Sequence, residues 1–467
     1  MPPFLALLLW FAFLLGLLLF DPAKQTKPSL ALWVPLFWLF IVGSRLPSQW
    51  LNNQIESASE ASMEGNSLDR LIYSALIVLA IGILMSRGFK WGDFVARNSA
   101  LMALLAFGLI SVFWSDFPFI SLKRWMRDLG NYLAILVVLS DPNPLEAIRM
   151  LLRRLCYLLI PLSILLIKYF PYMGKHFGFW SSATEFVGAT TSKNMLGVLC
   201  LVSGIFFLWD TVTRWPERKQ RQARRIINLN IMFIGLTIWL LYLSNSATSR
   251  VCLLLGFLVI AAAHRKTMKR NPFLLKVLIP VALGLYMILQ YSLDINGQLA
   301  GMVGRDATFT GRTVIWSAVL STHTNPLIGT GYESFWLGPR LQSVWRQTGV
   351  PVNEAHNGYL EVYLNLGSVG LVLLGIFLFS SYRTVCRRLT PFSSFGSLSL
   401  ALWTVLLFYN VTEAAFKGQL MWIVFLFAAI VAPPVENGRS SPTAEHSTTE
   451  QFPGNGSPHH LREVVGV

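Results

Sequence analysis

The sequence predicts an all-α, polytopic membrane bundle, and three observations carry that prediction. Of 467 residues, 54% are hydrophobic and only 13% are charged, where a soluble domain carries about 25% charge. The mean hydropathy is +0.53. Apolar runs of about 14–24 residues recur along the chain, each near the length that crosses a hydrocarbon core of ~30 Å. The runs are continuously apolar rather than alternating, which excludes a strand barrel; backbone in lipid must then close its hydrogen bonds as helix.

In chain order the runs cover residues 3–20, 29–43, 71–86, 99–114, 126–140, 151–168, 188–209, 226–243, 250–264, 273–291, 357–381, 395–411 and 418–433, so about 12–13 spans are expected. The first run has no Lys or Arg before it and no small-residue cleavage site before Asp21-Pro22; it is expected to stay as an anchor. Five regions follow: N-terminal helices (1–98), a central bundle (99–291), one long polar loop (292–356), C-terminal helices (357–433) and a Ser/Pro/Gly-rich tail (434–467) expected to be disordered and cytoplasmic.

Basic residues set the expected orientation. Lys24 and Lys27, Arg87 to Arg97, Arg149 to Arg154, Arg214 to Arg225, Arg265 to Arg270 and Arg383 to Arg388 fall in alternate short connections, which the positive-inside rule assigns to the cytoplasm. The net charge of +15 is then mostly topology. Nucleic-acid binding would need the charge gathered in one patch.

The opposite face is expected to be periplasmic, and it carries cations that run against this bias. The loop before His356 is about 64 residues long, where connections usually run to 4–6. It holds Arg305, Arg312, Arg340 and Arg346. Lys123 and Arg124, Lys193 in Thr190-Thr191-Ser192-Lys193-Asn194, and Arg250 after Ser246-Ala247-Thr248-Ser249 stand at other mouths on that side. An anionic ligand presented at the outer surface would account for them. Lipid phosphates and snorkelling from helix ends are the bland alternative. Arg250 follows a hydroxyl-rich turn at a helix start, where backbone N–H groups also favour anions. Arg312 precedes an amphipathic stretch, 313–320, expected to lie on the membrane surface. A guanidinium binds phosphate bidentately, whereas an ammonium is a compact charge.

His356 stands where the loop meets an apolar helix, and a titratable group at a membrane boundary is costly to keep. Nearby arginines are expected to hold its imidazole neutral, as a base requires. It could equally hydrogen-bond a neighbouring loop. Tyr359 and Tyr363, at helical spacing from it, are expected on its face, as sugar-stacking rings or as members of the interfacial aromatic belt. Gly367 and Gly370 are expected to admit a neighbouring helix. Asp306, Glu333, Glu354 and His356 have no diagnostic metal spacing, and no P-loop, Asp-x-Asp or Gly-rich nucleotide element lies on this face. The four cysteines fall in spans or at cytoplasmic ends, so no external disulfide is expected. The site is expected to use neither metal nor cofactor.

Taken together, several elements resemble the bacterial O-antigen ligase and O-antigen polymerase superfamily. They are Trp-Ser-Asp with Ser-Leu-Lys-Arg (114–124), Thr-Ser-Lys-Asn (191–194), Ser-Ala-Thr-Ser-Arg (246–250), Gly-Arg-Thr-Val-Ile-Trp (311–316), Asn-Pro-Leu-Ile-Gly-Thr-Gly-Tyr (325–332) and Glu-Ala-His-Asn-Gly-Tyr-Leu-Glu (354–361). The resemblance spans roughly residues 100–432. It implies an inverting, metal-independent glycosyltransferase of the bacterial inner membrane. Such an enzyme takes a glycan from undecaprenyl diphosphate on the periplasmic side. The acceptor is a hydroxyl of lipid A-core, or another lipid-linked glycan when the enzyme polymerises. By motif match, His356 would activate the acceptor and Arg250 and Arg312 would bind the diphosphate, with Lys193, Lys123 and Arg124 as further candidates. Tyr359, Tyr363 and Glu354 would then face the acceptor or sugar. Gly-Tyr-Glu-Ser-Phe-Trp (331–336) looks closer to exopolysaccharide-type polymerases, so the acceptor stays open.

The rival from another class is a polysaccharide or lipid transporter. Transporters place ionisable groups near the midplane on broken helices within repeated halves. Few charges interrupt these spans, Glu361 being the nearest case, and no internal repeat is evident.

Overall fold

All thirteen apolar runs contain helix in the computed structural model, which describes residues 1–19, 29–51, 65–177, 184–293, 312–389 and 394–433. The helices are α1 (Pro3–Leu19), α2 (Trp33–Gly43), α3 (Ser67–Ser86), α4 (Ser99–Ile110), α5 (Pro118–Leu139), α6 (Pro144–Tyr169), α7 (Lys193–Arg214), α8 (Arg221–Ser244), α9 (Ala247–Ala263) and α10 (Pro272–Leu293). After the polar region come α11 (Arg312–Ser321), α12 (Gly338–Thr348), α13 (Gly358–Arg388), α14 (Ser394–Thr412) and α15 (Leu420–Ala429). One antiparallel hairpin, β1 (Lys175–Phe177) with β2 (Thr184–Phe186), pairs His176 with Glu185. The expected tail lies outside the described residues, as does Arg305.

Six of the described helices are long and apolar enough to cross a membrane. A seventh would arise from the pair Trp91–Arg97 and Ser99–Trp114, bent by 97°. This is fewer than the number of apolar runs: several helices are short, and the 22-residue α5 carries Lys123, Arg124, Arg127 and Asp128. A helix of 10 or 11 residues, such as α15 or α2, rises only about 15–17 Å. Every residue of α15 is buried, so its apolarity serves helix–helix packing and not lipid contact.

Most of the core gathers around α6, α7, α14 and α15. At one end of it Asp210, fully buried, accepts from Arg153 Nη2 at 2.8 Å, Arg214 Nε at 3.0 Å and Asn230 Nδ2 at 2.9 Å. That ion cluster fastens α6, α7 and α8 where basic residues are dense, and it was not foreseen among these spans. A buried carboxylate is tolerable only with such partners.

The polar region is built, not loose. Its own small core joins Ile315, Ala318 and Val319 of α11 to Phe335, Trp336, Leu341 and Val344. The stretch 313–320 packs Ile315, Ala318 and Val319 on α12 and the preceding turn, while Val314 and Leu320 stay exposed. The segment Asn325–Tyr332 then docks onto α13 where that helix breaks at Gly367 (φ 65°, ψ −165°). The freed backbone groups are taken up by the segment: Thr330 N donates to Leu364 O, Gly331 N to Asn365 O, Ser368 N to Pro326 O and Val369 N to Leu327 O. A Cβ on Gly367 would lie 2.2 Å from the Leu327 backbone. Gly367 thus admits a loop segment where a helix was expected, and a Cβ on Gly370 would meet Leu366 of its own helix. Broken backbone at membrane depth persists only when repaired this way.

Candidate active site

His356 occupies the left-handed region (φ 48°), a strained conformation for a non-glycine residue that its surroundings must over-determine. Three fixings do so. Ala355 N donates to Glu361 Oε1 at 2.6 Å, and Ala355 O accepts from Trp316 Nε1 at 2.8 Å. Asn357 then caps α13, its Oδ1 accepting from Tyr359 N and Leu360 N at 3.1 Å each. Gly358 N donates to Glu413 O at 2.9 Å, and a Cβ at Gly358 would lie 1.9 Å from Asn410 Oδ1. The histidine is held by backbone on both sides before any side chain meets it.

Its Nδ1 faces two carboxylates, Glu354 Oε1 at 3.0 Å and Glu413 Oε2 at 3.3 Å. Nδ1 therefore carries the proton in this arrangement, and Nε2 is the nitrogen left for a ligand. Glu413, just past α14 and nearly fully buried, is the hub. Its Oε1 accepts from Arg312 Nη2 at 2.7 Å, and Asn194 Nδ2 reaches its two oxygens at 3.1 and 3.2 Å. Lys417 stands 3.8 Å from Glu354. Three separated motifs, around 194, 312 and 356, converge on one carboxylate that belongs to none of them.

The electrostatics reverse one expectation. Burial alone would lower the His356 pKa, but hydrogen bonds and charge from Glu354 and Glu413 outweigh it and raise the group from 6.5 to about 10. The arginines were expected to keep this imidazole neutral; the carboxylates are closer and win. Burial would likewise raise Glu354, yet His356, then Lys417 and Arg312, hold it at about 2. Burial would lower Lys417, and Glu361, Glu333 and Glu354 raise it instead.

The remaining candidates divide. Lys193 pairs with Glu185 of β2 at 2.6 Å, while its neighbour Asn194 enters the site. Arg250 Nη2 donates to Tyr242 O at 2.9 Å and to Asn245 Oδ1 at 3.3 Å. It thereby caps the end of α8. Arg124 donates to Glu333 O, and Lys123 lies 4.9 Å from the Phe119 ring centroid. Next to Arg124's partner, Tyr332 OH donates to Asp128 Oδ2 at 2.9 Å. Arg340 pairs with Asp116. Tyr359 is not on a shared face with His356, because the helix starts only at Gly358. Its hydroxyl donates to Leu407 O at 3.2 Å and its ring packs edge-on to Phe416, so it joins α13 to α14. Tyr363 is half-buried one turn further along.

Glu413, Lys417 and Asn194 were missed as site residues. The signal for Glu413 was available: it is a carboxylate ending the otherwise uncharged run 394–412. Glu354, His356 and Glu413 also offer ligand atoms within 4.8 Å of one another, a spacing that could hold a cation. The chemistry of the set fits poorly, since Arg312 and Lys417 already supply positive charge to both carboxylates and the histidine nitrogen concerned carries a proton.

Residues 231–375 match the family model described as O-antigen ligase, a stretch that includes Arg250, Arg312 and His356. Over 308 residues the chain is 25% identical to the exopolysaccharide production protein ExoQ of Rhizobium meliloti (strain 1021). That alignment covers 62% of this chain and 65% of the relative, just under two thirds of its length.

Proposed function

We propose, from the premise that this multi-pass membrane chain belongs to the O-antigen ligase and polymerase superfamily, that it transfers a glycan from undecaprenyl diphosphate to an acceptor hydroxyl on the periplasmic face. The observation that carries this reading is the convergence of His356 and Arg312 on Glu413. A proton acceptor and a phosphate-binding guanidinium then lie two contacts apart at the mouth of the bundle. The polyprenyl tail would stay in lipid while the diphosphate meets Arg312.

The chemistry balances without a metal or nucleotide. The acceptor oxygen attacks the anomeric carbon from the face opposite the diphosphate, so the stereochemistry inverts. The anomeric C–O bond breaks and its electron pair goes to the bridging phosphate oxygen, where Arg312 neutralises the growing charge. The acceptor proton passes to Nε2 of His356, while Nδ1–H stays with the carboxylates. Segment 325–332 and α11 stand beside the site and would keep water from the donor.

Because a base must be neutral and His356 titrates near 10, transfer should rise about tenfold per pH unit between pH 7 and 9. Stability should run the other way. A group raised from 6.5 to about 10 contributes fully below 6.5, and its contribution is lost as pH climbs through 10. A rate flat across pH 7 to 9, measured alongside thermal melts, would remove the imidazole as base.

Arg312→Lys keeps the charge but loses the planar fork. It should lower transfer at least about tenfold, read as product formed from a purified lipid-linked glycan; full activity would make Arg312 a structural partner of Glu413 alone. The family description favours ligation to lipid A-core. A second reading, polymerisation of lipid-linked repeat units, is favoured by the likeness to ExoQ and by the 331–336 run. A gel of surface polysaccharide from a deletion strain separates them, as bare lipid A-core or as loss of long polymer.

A further inference from the structure

Beyond its break at Gly367, α13 runs on to Arg388, about 31 Å of helix, which matches the ~30 Å of a hydrocarbon core. Its last turns therefore reach the membrane face opposite His356. There Arg383 and Arg387, four residues apart on one side of the helix, meet Arg97 from the bent pair. With Ser380, Thr384 and Val431 they line a cavity of about 190 Å³.

Two properties of this cavity stand out. Among the described residues, no carboxylate lines it. Several arginines elsewhere are matched by acids, Arg87 by Asp141, Arg153 and Arg214 by Asp210, Arg312 by Glu413 and Arg340 by Asp116, and others, such as Arg45 and Arg388, by backbone carbonyls. Among the described residues, the guanidinium groups of Arg97, Arg383 and Arg387 have neither a hydrogen bond nor an ion pair. Helix dipoles do not remove the excess. Two helix C-termini supply roughly one negative charge between them against three cations.

The walls, by contrast, are fixed. Asn98, at the elbow, donates Nδ2 to Val431 O at 2.9 Å and accepts from Val431 N at 3.0 Å. Arg388, one residue beyond Arg387, spends its guanidinium on the carbonyls of Ala428 and Ile430. One arginine of the turn is structural; its neighbours are left open toward the cavity.

We propose that this cavity binds the phosphate of an anionic glycerophospholipid, held by Arg97, Arg383 and Arg387 with the Ser380 hydroxyl as a neutral donor. Guanidinium groups suit phosphate oxygens in pairs. The place of the cavity at the end of a spanning helix puts it at headgroup depth, where each cation adds to attraction for anionic lipid. The site is separate from the proposed transfer site, and its failure would leave that reading untouched.

The test is native mass spectrometry of the full-length protein titrated with phosphatidylglycerol and, in parallel, phosphatidylcholine. The unmodified protein should retain one tightly held phosphatidylglycerol. The triple variant R97Q/R383Q/R387Q should bind it roughly a hundredfold more weakly, as three lost charges imply. Thr384→Glu, which leaves the arginines in place and adds an opposing charge, should also release it. Millimolar inorganic phosphate should not displace the lipid. Equal retention by both variants would overturn the proposal. Displacement by inorganic phosphate would overturn its lipid source and assign a soluble anion instead.

Discussion

Replacing His356 with alanine should lower glycan transfer by about 10²–10⁴-fold, the usual contribution of a positioned base, while the protein still inserts and purifies. The reasoning is local. Ala355 and Gly358 are pinned by Glu361, Trp316 and Glu413 through backbone atoms, so removing the imidazole leaves the turn's main-chain bonds in place. The left-handed backbone at this position is no easier for alanine than for histidine. The imidazole's pairing with Glu354 and Glu413 is lost as well, so the melting temperature should fall at neutral pH; loss of transfer in protein that still purifies folded therefore reports chemistry. Transfer near the unmodified rate would take His356 out of the reaction.

Glu413→Ala should be worse, because it damages stability and chemistry together. The Glu413 side chain is 5% exposed and its partner Arg312 14%, and truncating one member of a buried pair costs about 3–5 kcal/mol. The same change removes the Asn194 contacts and one of two carboxylates that hold the imidazole. A large fall in melting temperature with transfer abolished is expected. Glu413→Gln separates the effects, since the amide oxygen can still accept from Asn194. It should retain most of the fold yet lower the His356 pKa, moving the rise in activity to lower pH. A glutamine variant with an unmoved pH profile would show that Glu413 serves only the fold.

Most of the fold was legible because lipid imposes a simple rule: a run apolar on every side must be helix. Run lengths were less informative. The fully buried α15 and the lipid-facing part of α3 look alike in composition, yet only packing distinguishes them. The site was half legible. His356 and Arg312 announced themselves as ionisable groups at the ends of apolar stretches. Arg250 did too, but its guanidinium turns back onto the carbonyls of α8, which no spacing rule reveals. Glu413 escaped because a lone carboxylate carries no motif. Its importance lies in what three distant segments bring to it, and long-range convergence is the property a linear reading sees least. The charge state of His356 escaped too: Glu354, which raises it most, is a sequence neighbour that only the left-handed turn at His356 brings onto Nδ1, and the second carboxylate, Glu413, is 57 residues away in the chain.

The proposed reaction moves a glycan from a lipid-linked donor to an acceptor and does not move lipid across the bilayer. The direct measurement is reconstitution of the purified protein in proteoliposomes with a radiolabelled polyprenyl-diphosphate glycan and an acceptor glycolipid on the outer leaflet. Labelled acceptor and an equal amount of freed polyprenyl diphosphate are expected, both lost in His356→Ala. Label that crosses the bilayer with its diphosphate linkage intact, and no labelled acceptor, would contradict it.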